Sequence, residues 1–298
     1  MNQTIAVDDL VIHTIVEHQF GFLPAQQMFP NLNSLLLEQD ISSIEDNYLD
    51  QQKRVVLCFQ SFVVRTPKQI ALIDTGIGND KPRAVKQWDL KQDNPFLGGL
   101  ATLGLSVNDI DVVICTHLHN DHVGWNTIRV DGRWVPTFPN ARYVLPAIEF
   151  NYGMALGSKR PPLFGDSVLP IIESSKGDLV QADHQIGEHI RLMPTPGHSP
   201  GHVSVILGRT GESAVITGDL IHSPIQLRYP EAYFSSDHDK ELGIQTRRSF
   251  LEKFSDTRTL CCASHFAPSS VGHLKRSGSE FRFEAFNAPT SNGWDDIA

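Results

Sequence analysis

Cysteine is scarce: four residues in 298, Cys58, Cys115, Cys261 and Cys262, too few and too scattered to staple a fold. Three lie in apolar, strand-like runs and Cys115 ends another, so all four read as buried thiols, not as disulfides or metal ligands. Basic residues are also in deficit, with 25 Lys and Arg against 34 Asp and Glu, a net charge of −9. Phosphate binding needs a basic footprint, so nucleic acid is excluded as an expected partner. No apolar run approaches the roughly 20 residues that cross a bilayer, and no membrane partner is expected. The start, MNQTIAVDDLVIHTIVEHQF, lacks a basic segment followed by a long apolar stretch. No signal peptide is therefore expected, and the cytoplasm is the expected location. Internal repeats and low-complexity segments are absent as well.

What is present suits a globular α/β protein: 40% hydrophobic and 20% charged residues. RVVLCFQSFVVRT (54–66), QIALIDTGIG (69–78) and the run Ile110 to Cys115 read as strands, as does Tyr143–Leu145 before Pro146, which suits a first helical turn. The second half repeats this grammar. HIRLMPTPGHSPGHVSVILG (189–208) holds two strands around a Pro/Gly loop, ESAVITGDLIHSP (212–224) a strand and loop, and TLCCASHF (259–266) a short strand. Residues 237–256 read as a helix that Asp237 or Asp239 can cap, with Leu242, Phe250, Leu251 and Phe254 as its apolar stripe and 246–248 (TRR) on its solvated face. Strands with intervening helices in both halves, and no long linker, suggest one α/β domain over 1–298. Residues 151–176 read as a loop excursion. The tail from Arg276 reads as loop, and its aromatics Phe281, Phe283 and Phe286 could cover a homodimer surface.

The histidines are unevenly placed. Of 13, three fall in THLHNDHVGW (116–125) with an aspartate between them. In extended chain, alternate side chains share a face, so His117 and His119 can share one ion. Asp121 and His122 follow where the chain turns and could serve a second. Neutral imidazole and carboxylate suit Zn²⁺ and similar divalent ions. Three further candidates stand at ends of apolar strands: His198 in TPGHSPGH, Asp219 in VITGDL and His265 in CASHF. Each alone reads as a turn or core residue. Together with the cluster they divide into two sets, His117, His119 and His198 for one ion and Asp121, His122 and His265 for the other, with Asp219 bridging. His202 reads as a structural partner in its loop rather than a ligand.

These motifs, in this order, resemble the metallo-β-lactamase superfamily over roughly residues 50–275. The resemblance implies an αββα sandwich of two mixed sheets flanked by helices, with the site at one edge, and it supports the same ligand set. It also implies that Asp74, in LIDTGIG, hydrogen-bonds near a histidine ligand and fixes its orientation. An aspartate at 219 speaks against the true β-lactamase branches. The acidic charge speaks against the RNA-processing branch, and the tail shows no glutathione-binding helical region like that of glyoxalase II. The stretch GDLIHSPIQ (218–226) is similar to methyl parathion hydrolase and the lactonase-like relatives. Acyl-homoserine lactonases of the fold tend to carry tyrosine where this chain has His222.

The expected chemistry is hydrolysis of a lactone, carboxyl ester or phosphotriester, with two divalent ions (Zn²⁺ by default; Mn²⁺, Fe²⁺ or Co²⁺ tolerate the same ligands) sharing a hydroxide. Such ions lower the pKa of bound water from about 15.7 to near 7. Asp121 or Asp219 could carry the proton, and no serine or cysteine nucleophile is required. His222 either contacts a substrate oxygen or packs in its loop. Phe20, Phe22 and Phe29 in FGFLPAQQMF either wall a small-molecule pocket or pack. Alternatives are a thioester or phosphodiester hydrolase of the same fold, or a catalytically silent metal-binding protein.

Overall fold

A computed structural model describes residues 2–36, 48–209, 211–267 and 269–286. The chain divides into two compact units. Among the described residues, one takes the chain up to His18 and Phe59–Ala182, the other the residues between Gln19 and Cys58 and those from Asp183 to Phe286.

Strands β1 (Thr4–Val7), β2 (Leu10–Pro24), β3 (Arg54–Arg65), β4 (Ile70–Ile73) and β5 (Val112–Ile114) are followed by a separate hairpin of β6 (Thr127–Val130) and β7 (Arg133–Pro136), then β8 (Arg142–Pro146) and β9 (Gly177–Val180). All but the hairpin form one sheet in the order β1-β2-β3-β4-β5-β8-β9. The pairs β4–β5, β5–β8 and β8–β9 are parallel, and β3–β4 is antiparallel. The central strands are short and largely buried on both faces, as their wholly apolar runs dictate. Ile15, Val63, Leu72, Phe96, Val113 and Tyr143 belong to the core of this unit.

The second sheet runs in chain order: β10 (Gln185–Ile186), β11 (Ile190–Pro194), β12 (Val203–Leu207), β13 (Ala214–Ile216), β14 (Leu260–Cys262), β15 (Val271–Ser277) and β16 (Glu280–Ala285). Only β13–β14 is parallel, and the helix Lys240–Phe254 makes that crossover. Asp239 caps the helix, its side chain accepting from the Leu242 amide. Phe250, Leu251 and Phe254 pack with Val215, Cys261 and Leu274. Leu242 is largely outside that stripe. All four cysteines are buried free thiols, as expected. Among the described residues no helix is long and apolar enough to cross a membrane.

The structure corrects four expectations. Residues 151–176 are largely helical: Ala147–Ala155, a wide turn at Phe164–Val168 and Leu169–Glu173. Leu163, Phe164, Val168 and Ile171 pack into the core, and partners far upstream in sequence hold Asp166. Arg83 donates to both oxygens of buried Asp166 at 2.8 Å, and Lys81 Nζ donates to the Asp166 carbonyl at 3.1 Å and to Thr127 Oγ1 at 2.8 Å. The tail from 276 is not loop as far as Phe286; β15 and β16 form a hairpin across Gly278–Ser279, with Gly278 at φ 64°. The Gly-Ser pair inside alternating HLKRSGSEFRF is a readable hairpin signal. Phe281 is buried in the core and half-buried Phe283 packs against it. The rest of the tail lies outside the described residues. FGFLP continues β2 instead of forming a loop, and Phe29 is wholly buried while Phe20 and Phe22 are half-buried. Finally, Arg247 is not on a solvated face. It is 2% exposed, and its guanidinium donates to the carbonyls of Pro230, Leu220 and Ala232. Three buried acceptors need a fork of donors, which Arg supplies and Lys does not.

Burial pulls the Lys81 pKa down to about 7 against the opposing pull of Asp166. Between pH 7 and its ordinary value the unfolded chain binds the proton that the native state has released, so stability from this group rises with pH and is lost as pH falls through 7. Urea unfolding should show wild type gaining on Lys81→Met between pH 7 and 9, by at most about 1.4 kcal/mol per pH unit. A difference that stays flat with pH would contradict the shift.

Candidate metal centre

Strand register sets the functional side chains. In the first unit Ile73 pairs with Ile114. Asp74 follows one residue beyond its strand and His117 three beyond its own. Asp74 takes the left-handed conformation, φ 57°, which turns its carboxylate back over the neighbouring strand end. There Oδ1 accepts from the Thr116 amide at 2.7 Å, and Oδ2 accepts from the Thr116 hydroxyl at 2.9 Å and from His122 Nδ1 at 2.8 Å. The Thr116 hydroxyl, its proton given to Asp74, in turn meets His117 Nδ1 at 3.1 Å. The His117 ring lies 4.4 Å from that of His119 and 4.2 Å from that of His122, and His122 Nε2 is 3.6 Å from Asp121 Oδ2. His117, His119, Asp121 and His122 thus gather in one loop. Buried Glu149 holds that loop by accepting from the Leu118 amide at 3.3 Å.

Two segments make this loop rigid. The Thr75 amide donates to the His122 carbonyl, Gly124 to Gly76 and Trp125 to Thr75, at 2.7–2.8 Å. Their approach needs bare backbone: a Cβ on Gly124 would sit 1.9 Å from the Ile77 carbonyl oxygen, and one on Gly78 2.6 Å from Gly124.

In the second unit Ile216 pairs with Cys262, and Asp219 and His265 each stand three residues further along. Parallel neighbours deliver both side chains at the same sheet edge. His198 comes from the β11–β12 loop. His265 Nε2 lies 2.9 Å from Asp219 Oδ1; His198 Nε2 and His222 Nε2 each lie 3.3 Å from Oδ2. His222 is buried, which pulls its pKa down against the pull of Asp219. His202 does not present its Nε2 as these rings do. That nitrogen accepts from the Asp219 amide at 2.8 Å, which fixes the aspartate's backbone, and Nδ1 donates to the Thr195 carbonyl at 3.0 Å.

The far nitrogens decide what the near ones can do. His265 Nδ1 meets the Cys58 carbonyl at 2.8 Å, and a carbonyl only accepts, so Nδ1 carries the hydrogen. A neutral ring then turns its Nε2 lone pair toward a carboxylate oxygen, acceptor against acceptor. His198 repeats the conflict, with Asp237 Oδ1 at 3.0 Å on Nδ1 and Asp219 on Nε2. Protonating every ring would crowd like charges into a buried site. Divalent cations accept such lone pairs, and ligand histidines regularly give their other N–H to a carboxylate or carbonyl. The donor set therefore fits such an ion.

Asp237 and Phe234 escaped the sequence reading. Asp237 looked like a helix cap beside Asp239, but it takes His198 instead. Burial alone would raise its carboxyl pKa; the hydrogen bond from His198 holds it below the ordinary value. Phe234 lies 4.1 Å from the His222 ring. Gly197-His198-Ser199-Pro200-Gly201 has the spacing of a serine-nucleophile turn. It joins two antiparallel strands, however, and not a strand to a helix, so it lacks the context that makes such a serine a nucleophile.

Gly124→Ala should lower unfolding free energy by about 1–3 kcal/mol, since backbone must move to admit the methyl. Urea denaturation measures this; an unchanged midpoint would contradict the close contact.

Comparison with known proteins follows the same lines. AidC, a dizinc quorum-quenching lactonase solved with a product, has a similar fold, with a TM-score of 0.77 at 20% identity over 97% of this chain and 98% of its own. The hydrolase AbOPH gives 0.78 at 22% identity over 97% and 98%. An N-acyl homoserine lactonase of Bacillus thuringiensis is 23% identical over 176 residues, 59% of this chain and 64% of that protein. A probable metallo-hydrolase of Methanocaldococcus jannaschii is 33% identical over 127 residues, 43% and 45% respectively. The match with these curated relatives thus spans less than two thirds of their length. The family profile described as the Metallo-beta-lactamase superfamily matches residues 60–264, from within β3 to the residue before His265. With that match over most of its length, the chain belongs to the metallo-β-lactamase superfamily.

Proposed function

We propose that this protein is a binuclear metal-dependent hydrolase of small neutral lactones, carboxyl esters or phosphotriesters. The observation that carries the reading is Asp219, a buried carboxylate faced by the Nε2 atoms of His198, His222 and His265. On this reading His117, His119 and His198 hold one ion, Asp121, His122 and His265 the other, and Asp219 bridges. Zinc suits the donors, and a similar fold belongs to a dizinc lactonase. When bound, such ions supply a nucleophile from water near neutral pH and Lewis acidity for the scissile bond.

The chain's own groups do the rest. Asp219 is held at its amide by His202, which fixes the backbone that carries the carboxylate. Asp121, whose side chain keeps 11% of its exposure, is the carboxylate suited to pass a proton to solvent. His222 offers an imidazole beside Asp219 for a substrate oxygen, with Phe234 packed against its ring. Phe20 and Phe22, ring centroids 6.1 Å apart, remain candidates for an apolar wall. The lactonase relatives support a cyclic ester as substrate, and the similar fold of the hydrolase AbOPH supports a hydrolytic reaction.

Elemental analysis and a panel of lactones, aryl esters, phosphotriesters, thioesters and phosphodiesters test this. We expect two ions per chain and turnover within the first three classes; activity confined to thioesters or nucleotides, or none at two ions per chain, sinks it. Asp219→Ala should lose at least one ion and more than about 100-fold in turnover, beyond what loss of an outer partner costs. Asp237→Ala should weaken metal binding by about 10–100-fold in a chelator competition, and Asp237→Asn less, because its amide oxygen still accepts.

A further inference from the structure

Glu17 is a carboxylate on β2 with no part in the ligand set, yet it is only 3% exposed. It accepts from the Ile77 amide at 2.6 Å, the Gly78 amide at 3.3 Å and the Trp125 indole at 2.8 Å, and it pairs with Lys91 Nζ at 2.7 Å. A carboxylate offers about four lone-pair positions. Here Oε1 takes Gly78, Trp125 and Lys91 and Oε2 takes Ile77, so both oxygens are engaged, and the Lys91 charge, itself buried, offsets the anion. Lys91 is held in turn by Asn79 at 3.0 Å and by Asp93.

Two of the donors are successive backbone amides. Gly76 and Gly78 take positive φ, 58° and 78°, and flank Ile77, so the Ile77 and Gly78 N–H groups converge as in an anion-binding nest. The nest is moulded on this carboxylate: a Cβ on Gly76 would sit 2.0 Å from Glu17 Oε2. The segment that forms it begins at Asp74, which receives His122 Nδ1. The third donor, Trp125, lies three residues past His122 on the segment bonded to the first by Thr75, Gly124 and Trp125.

We infer that Glu17 is a positioning residue for the His122 side of the metal centre: an internal anion that locks the Asp74 segment to the His122 segment. It touches no ligand and acts through both. A neutral amide cannot replace it, because one of its two heads would turn N–H groups toward the donors of the nest. The inference rests on the binuclear reading, and it predicts an asymmetric defect. Losing Glu17 should loosen the ion held by Asp121, His122 and His265 and leave the other nearly as tight.

Cobalt(II) titration of metal-free wild type, Glu17→Gln and Trp125→Phe, followed by visible absorption and paired with urea unfolding, tests it. We expect two cobalt ions in wild type. In Glu17→Gln one should bind about 10–100-fold more weakly with an altered spectrum, the range seen when a ligand's outer partner is lost. Trp125→Phe keeps the ring stacked on Phe96, 5.4 Å away, and removes only the indole donor, so its defect should be in the same ion and smaller. Glu17→Gln that is merely less stable, with both ions at wild-type affinity and spectrum, overturns the inference. If Glu17→Gln does not fold, an unaltered Trp125→Phe titration overturns it. Wild type that takes up no cobalt removes the binuclear reading, and this inference with it.

Discussion

A neutral imidazole has one nitrogen that donates and one that accepts, and in this protein the donor side is fixed by the scaffold. The Cys58 carbonyl takes the His265 hydrogen, Asp237 takes that of His198, and Asp74 takes that of His122. Each ring is thereby left with its lone pair aimed where a carboxylate already stands. Acceptors gathered on acceptors are unstable in a buried place unless something positive lies among them. Most of the polar architecture around these loops follows from that constraint. His202 grips the backbone of Asp219, Thr116 relays the Asp74 carboxylate to His117, and Arg247 ties the segment carrying Asp237 and His222 to the helix beneath it.

The sheets contribute through register, not through their own chemistry. Parallel neighbours end at the same edge, so residues at matching distances past the paired positions arrive together, as Asp219 and His265 do. Loops then need only a few residues to complete the presentation, and glycine appears where backbone meets backbone.

Local chemistry was legible in the sequence and distant pairing was not. His-x-His-x-Asp-His announces itself because ligand types are concentrated within six positions, and strand-end His198, Asp219 and His265 share a recognisable context. Most strands could be placed from Val/Ile/Phe runs between turn residues. By contrast, the role of Asp237 depends on which of two aspartates reaches a loop 39 positions earlier. Arg247 sits in a polar triplet that looks solvated, and only the folded chain brings three carbonyls to it. Residues 151–176 combine apolar core contacts with a polar anchor, Asp166, whose partners Lys81 and Arg83 stand more than 80 positions away. The β15–β16 hairpin is different: its Gly-Ser turn and alternation are local signals, set inside a tail whose composition reads as loop.

The mutual contact of Gly78 and Gly124 has a consequence for anyone remodelling this scaffold. The two backbones meet where neither position has space for a methyl, so the pair behaves as one unit of inheritance. A transplanted histidine loop from a cousin with a bulkier residue at either spot would arrive with its mate missing. Recombination libraries should therefore place their crossovers so that 74–78 and 117–126 always come from the same parent.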